Sequence, residues 1–156
     1  VLYHVPGRTG QRLNAKVLEQ LCRVEGVIGL KEATGDVTLG QELCNRLSNT
    51  PVSLLSGDDF TYAALCTMGF NGTISVLSNP APKLSIRWFE AAHRGDITQL
   101  RSLRSQLLPV VSALFSSTNP VPCKGMMAGM GLLKNECRLP LCSEEIPEPR
   151  FWKDLE

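Results

Sequence analysis

Lys31 closes the apolar run Val27-Ile28-Gly29-Leu30 and opens the segment Glu32-Ala33-Thr34-Gly35-Asp36. An apolar run of that length reads as a strand buried on both faces, as in a parallel sheet. The C-terminal edge of such a strand is where α/β folds place their chemistry. A primary amine held there, partly desolvated and without its proton, can attack a carbonyl and form a Schiff base. Three further residues suit such a site. Tyr3 can carry a proton to and from a carbinolamine. Arg8 presents a planar fork that matches a carboxylate. Gly57 lets a ligand come close to the backbone. Each also has a plainer reading: Lys31 as the first solvated residue of a loop, Tyr3 as a strand aromatic, Arg8 as loop charge, Gly57 as a turn residue. Asp58 and Asp59 read as helix caps rather than catalytic acids. His4 falls on the face opposite Tyr3 and reads as structural. His93, before Arg94 and Gly95, reads as a cationic helix end.

These residues need elements to hold them. Val1 to Val5 reads as a short strand, and Pro6-Gly7-Arg8-Thr9-Gly10 as a loop. Val17, Leu18, Leu21 and Cys22 form a helical stripe over about 14–24. Residues 27–31 are the second strand, with Val27, Gly29 and Lys31 on one face and Ile28 and Leu30 on the other, packed on helices. Gly29 then leaves room beneath the amine. Thr34 or Asp36 caps a helix through Leu39, Leu43 and Leu47. Residues 52–56 are a third strand, followed by a helix through Ala63, Ala64, Leu65 and Met68. Residues 72–77 are a fourth strand. Only helices follow, at about 82–93, at 96–116 with an interruption at Pro109, and at 123–132. The tail beyond Leu139 reads as proline-broken and irregular.

Four βα units at a regular spacing predict an α/β fold, either half of a (β/α)8 barrel or a small open sheet. All strands are expected to be parallel. Their C-terminal ends then gather Tyr3, Arg8, Lys31, Gly57 and Ile74. The expected organisation is barrel strands over 1–80, with the last barrel helix and a helical extension over 81–156. The chain opens on Val1 in residues that already read as a strand, and the expectation is that something has been removed or lies upstream.

Composition narrows the function. Hydrophobic residues make up 43%, charged residues 20%, and the formal net charge is +1, which describes a globular chain. Basic residues are scattered and aromatics few, so no nucleic-acid partner is expected. No apolar run approaches the roughly 20 residues that span a bilayer, so no membrane partner is expected either. Six cysteines carry no Cys-x-x-Cys pair, and there are two histidines, which argues against zinc. All six read as reduced thiols, three of them within amphipathic helical stretches, pointing to the cytoplasm.

Taken together, the motifs resemble one family. Tyr3-His4-Val5-Pro6-Gly7-Arg8-Thr9-Gly10 is similar to the Tyr-Asn-Val-Pro-x-Arg-Thr-Gly signature of the dihydrodipicolinate synthases. Gly29-Leu30-Lys31-Glu32-Ala33-Thr34-Gly35-Asp36 resembles that family's Schiff-base lysine segment. Ser56-Gly57-Asp58-Asp59, Gly72-Thr73-Ile74-Ser75-Val76 and Asn119-Pro120-Val121-Pro122-Cys123-Lys124 follow in the family's order. The likeness covers nearly the whole chain and weakens after Leu139. It implies the second half of a (β/α)8 barrel with a C-terminal helical extension, and a pyruvate-dependent class I aldolase mechanism. By resemblance, Lys31 forms the imine with pyruvate and Tyr3 shuttles protons. Arg8, with Thr9, holds the carboxylate of aspartate semialdehyde, and Gly57 and Ile74 line the site. No cofactor is implied beyond the covalent pyruvate imine on Lys31. A homo-oligomer, a dimer of dimers, is implied, as is a place in lysine and diaminopimelate biosynthesis.

The departures are specific. His4 stands where the family has Asn. The family's first four βα units have no counterpart in these residues, nor does the Gly-x-Thr-Thr-Gly-Glu loop that holds the pyruvate carboxylate. One alternative is therefore an inactive half-barrel, or a remnant that oligomerises through its open sheet edges. Another is a related N-acetylneuraminate lyase or 2-keto-3-deoxy sugar acid aldolase. An open-sheet binder of phosphorylated ligands lacks the glycine-rich loop it needs.

Overall fold

The computed structural model describes residues 1–143. The irregular tail expected after Leu139 therefore lies largely outside the described residues. In chain order the elements are β1 (Leu2–His4), α1 (Pro6–Thr9), α2 (Ala15–Cys22), β2 (Gly29–Glu32), α3 (Val37–Leu47) and β3 (Ser53–Ser56). They continue with α4 (Tyr62–Met68), β4 (Gly72–Thr73), α5 (Pro82–His93), α6 (Ile97–Leu114) and α7 (Val121–Gly129). The chain divides into two compact units between Ser75 and Val76.

The first unit holds a four-stranded parallel sheet in the order β1-β2-β3-β4. That sequential order decides between the two architectures left open by the sequence. A doubly wound sheet reverses its strand order, whereas a barrel adds each strand beside the last. The packing agrees. Leu30 and Leu54 of the sheet share one core with Ala15, Leu18 and Cys22 of α2, Leu39, Leu43 and Leu47 of α3, and Leu65 of α4. The three longer helices of this unit thus meet the same sheet face.

Local sequence explains the boundaries. Asn14 accepts a hydrogen bond from Val17 N at 3.0 Å and caps α2, and Asp36 does the same for Leu39 N at 3.0 Å and α3. The segment read as a loop after β1 contains one helical turn, α1. Pro6 starts it and Gly10, at φ 69°, ends it, the usual division of labour between these two residues. Ile28 is 69% exposed. It does not pack on the helices as expected, because β2 begins only at Gly29 and extends one residue further, to Glu32.

The fourth strand is shorter than the apolar run predicts. Only Gly72 and Thr73 pair with β3. The chain then turns, with Asn79 N bonded to Val76 O at 3.1 Å and Ala81 N to Leu77 O at 3.0 Å. Leu77 joins the core of the second unit, beside Leu84 and Ala91 of α5, Leu103, Leu107, Val111 and Leu114 of α6, and Met126 of α7. Pro109 lies inside α6 without interrupting it. α7 starts two residues earlier than expected, with Pro122 in its first turn, where a missing N–H costs nothing. Among the described residues no helix is long and apolar enough to cross a membrane. Cys22, Cys66 and Cys123 are buried. Burial pushes the Cys22, Cys44 and Cys66 thiols above their ordinary pKa, as expected of packing rather than reactive cysteines.

Candidate active site

Register places Tyr3 beside Lys31, Lys31 beside Leu55, and Leu55 beside Gly72. In-register neighbours in a parallel sheet share a face. Tyr3, Lys31 and Leu55 therefore stand on the face opposite Leu30 and Leu54, away from α2, α3 and α4. Carrying the alternation one step past the strand ends adds Gly57 and Ile74. Ile74 stays tied to the sheet through its N–H, which donates to Ser56 O at 2.8 Å.

The lysine and the tyrosine meet. Lys31 Nζ lies 4.1 Å from the centroid of the Tyr3 ring, a cation–π distance. Tyr3 remains 48% exposed, and Lys31 is half-buried. Gly57 has a more specific role than the sequence suggests. A Cβ there would lie 2.6 Å from Ala33 Cβ and 2.8 Å from Lys31 Cε. What approaches the backbone of Gly57 is the stem of Lys31 itself. The expected space at Gly29 is not open: a Cβ there would meet Ser53 O at 3.2 Å and Val1 Cγ2 at 3.4 Å.

Arg8 and Thr9 are exposed on α1, which leaves the C-terminal end of β1. The Thr9 hydroxyl is engaged in its own turn, accepting from Gln11 N at 3.3 Å and donating to Val5 O at 3.3 Å. Asp58 is not the N-cap expected of it: α4 begins at Tyr62 with Thr61 as its N-cap, and Asp58 Oδ2 instead takes the Thr61 N–H at 3.0 Å and the Thr61 hydroxyl at 2.6 Å in the turn before the helix. Asp59 is buried. Among the described residues no cluster of three or more His, Cys, Asp or Glu is arranged to hold a metal. A cavity of about 420 Å³, lined by Cys22, Arg23, Asn49 and Pro51 among others, sits at the N-terminal ends of the strands, away from Lys31.

Beneath the Tyr3–Lys31 pair, on the helix-covered face, lies a second pair that the sequence did not single out as such. His4 is 5% exposed and Glu32 is 0% exposed. They are register neighbours, and His4 Nδ1 lies 3.2 Å from Glu32 Oε1. Reading Glu32 as a loop residue hid this. The alternation Leu30–Glu32, continued from His4 across the register, is the signal that could have found it.

Comparison with known proteins adds an independent line. The model of the dihydrodipicolinate synthetase family matches residues 1–149. A 4-hydroxy-tetrahydrodipicolinate synthase of Thermodesulfovibrio yellowstonii is 43% identical over 142 residues, which is 91% of this chain and 48% of that protein. The synthase of Stutzerimonas stutzeri is 42% identical over 151 residues, 96% of this chain and 51% of that protein. Among solved structures, the chloride-inhibited dihydrodipicolinate synthase from Acinetobacter baumannii, complexed with pyruvate, superposes with a TM-score of 0.86 at 35% identity, covering 99% of this chain and 52% of that one. The chain spans about half the length of the relatives it matches.

Proposed function

Since the chain belongs to the dihydrodipicolinate synthetase family, we propose that it supplies the Schiff-base half of a 4-hydroxy-tetrahydrodipicolinate synthase, in the cytoplasm, within lysine and diaminopimelate biosynthesis. The observation that carries this reading is the Tyr3–Lys31 pair at 4.1 Å on the open sheet face.

In the proposed reaction the Lys31 amine attacks the ketone carbon of pyruvate. The carbinolamine loses water, with Tyr3 passing the proton to the departing hydroxyl, and leaves an imine. Loss of a methyl proton then gives an enamine, with the protonated imine nitrogen as the electron sink, so the lysine needs no added cofactor. The enamine carbon attacks the aldehyde carbon of aspartate semialdehyde, and the aldehyde oxygen takes up a proton. Arg8, on α1 at the rim, binds the second substrate's carboxylate as a bidentate fork, with Thr9 shaping that turn. Attack by the substrate's own amine on the imine carbon closes the ring and releases Lys31. Gly57 leaves room for the lysine stem, and Ile74 lines the far side.

The pyruvate carboxylate would be held by a loop of the family's first half, so turnover requires a complete barrel, and by resemblance that barrel belongs to a homo-oligomer. The test is to co-express the chain with the N-terminal half of the Thermodesulfovibrio relative and supply pyruvate with aspartate semialdehyde, or N-acetylneuraminate alone. Consumption of the first pair with no cleavage of the sugar acid is expected. The reverse pattern assigns the chain to the N-acetylneuraminate lyase branch.

A second reading rests on the sheet itself. β1 and β4 are its outermost strands, and such edges invite pairing. An inactive chain that closes by self-association sediments as a monodisperse dimer and turns over neither substrate set when the N-terminal half is supplied.

A further inference from the structure

The buried pair behind the site has an assignable proton. Leu13 N donates to His4 Nε2 at 3.1 Å. A ring nitrogen that accepts an N–H carries no hydrogen of its own. His4 is therefore neutral, its hydrogen sits on Nδ1, and Nδ1 donates to Glu32 Oε1 at 3.2 Å. The same carboxylate oxygen accepts the Thr34 N–H at 2.9 Å. The other oxygen, Oε2, is buried without a hydrogen-bond partner. Glu32 thus depends for its satisfaction on two donors, one of them His4.

We infer that His4 and Glu32 are positioning residues for Tyr3 and Lys31, an inference that rests on the proposed Schiff-base function. Tyr3 precedes His4 and Lys31 precedes Glu32. Fixing the second member of each pair on the helix-covered face fixes the pleat that aims the first member at the open face. The imidazole also spans from β1 to Leu13, closing the loop that carries Arg8 and Thr9. Through Thr34 the carboxylate holds the start of the loop after β2. One neutral imidazole and one carboxylate therefore join the two strands and the two loops that carry the proposed chemistry. Where this chain has His4, the signature it resembles has Asn, a residue that also offers one acceptor and a donor. An apolar residue offers neither, and would leave Leu13 N and Glu32 Oε1 short of a bond in the interior.

The test uses the full chain, its His4→Asn and His4→Leu variants, and three readouts. The first is the imidazole ¹⁵N spectrum, expected to show the Nδ1–H tautomer. The second is the upfield ring-current shift of the Lys31 ε-methylene under the Tyr3 ring, which needs no substrate. The third is the rate of borohydride trapping of pyruvate on Lys31. H4N is expected to keep both the ring-current shift and the trapping rate. H4L is expected to lose the shift and to trap more slowly, on the order of tenfold to a hundredfold, the scale set by a misplacement of about 1 Å. An Nε2–H tautomer overturns the inference. So does a folded H4L with the shift and rate unchanged, or a folded H4N that has lost the shift. If H4L does not fold, the tautomer and H4N still decide. If Lys31 forms no adduct even when the chain is paired with the N-terminal half of the Thermodesulfovibrio relative, the Schiff-base reading falls, while the tautomer and the ring-current shift still report on the clamp.

Discussion

At the scale of single residues, space and burial make the sharpest predictions. Gly57→Ala places a methyl 2.6 Å from Ala33 Cβ and 2.8 Å from Lys31 Cε, closer than real contacts allow. We expect it to destabilise the fold by about 1–3 kcal/mol, the usual cost of overpacking. It should also displace the lysine stem, lowering pyruvate trapping on Lys31 further than a loss of stability explains. Urea unfolding and trapping rates measured on the same samples check both parts. Tyr62 gives a pH prediction. Burial, with a hydrogen bond to Cys66, raises its phenol far above the ordinary tyrosine value. A raised folded-state pKa means that the folded chain keeps a proton the unfolded chain gives up. The stability from this group is therefore complete below about pH 10 and declines as pH rises beyond it. Tyr62→Phe should flatten that alkaline decline, seen as the slope of the thermal midpoint against pH, at a cost near 1 kcal/mol at neutral pH from the lost hydrogen bond. That Lys31, Tyr3 and Gly57 gather on one side of the sheet was legible in the sequence, from their places at the C-terminal ends of successive strands. The place of Glu32 was not. The second strand was expected to end at Lys31, which put Glu32 in the loop, and only the strand's extra residue turns it inward.

Elements were legible where local signals agree with packing. α3 is an example: an Asp cap, then Leu39, Leu43 and Leu47 on one stripe, all three buried. Asp36→Ala should remove the bond to Leu39 N and cost about 1 kcal/mol, read as a lower urea midpoint. The exposed ion pair with Arg12 adds little to that figure. β4 was misread for a physical reason. An apolar run states that its residues are buried but not in which core, and Leu77 goes to the helical unit rather than the sheet. Pro109 was misread in the opposite sense. Proline removes one N–H bond from a helix, and the 18-residue α6 runs on through that loss. The turn α1 was legible in hindsight from Pro6 and Gly10, but four residues are too few for a hydrophobic stripe to announce them.

On the scale of the whole chain, strand order and one-sided helix packing match a half-barrel. The sequence had left this open against a small sheet, since spacing alone does not order strands. The reading of function rests on what stands on the uncovered face. Reduction with borohydride in the presence of pyruvate, followed by intact mass and peptide mapping, addresses this most directly. We predict a single reduced pyruvyl adduct on Lys31, absent in Lys31→Arg. Adducts spread over several lysines, or an adduct that persists in Lys31→Arg, would contradict the assignment of Lys31 as the Schiff-base residue.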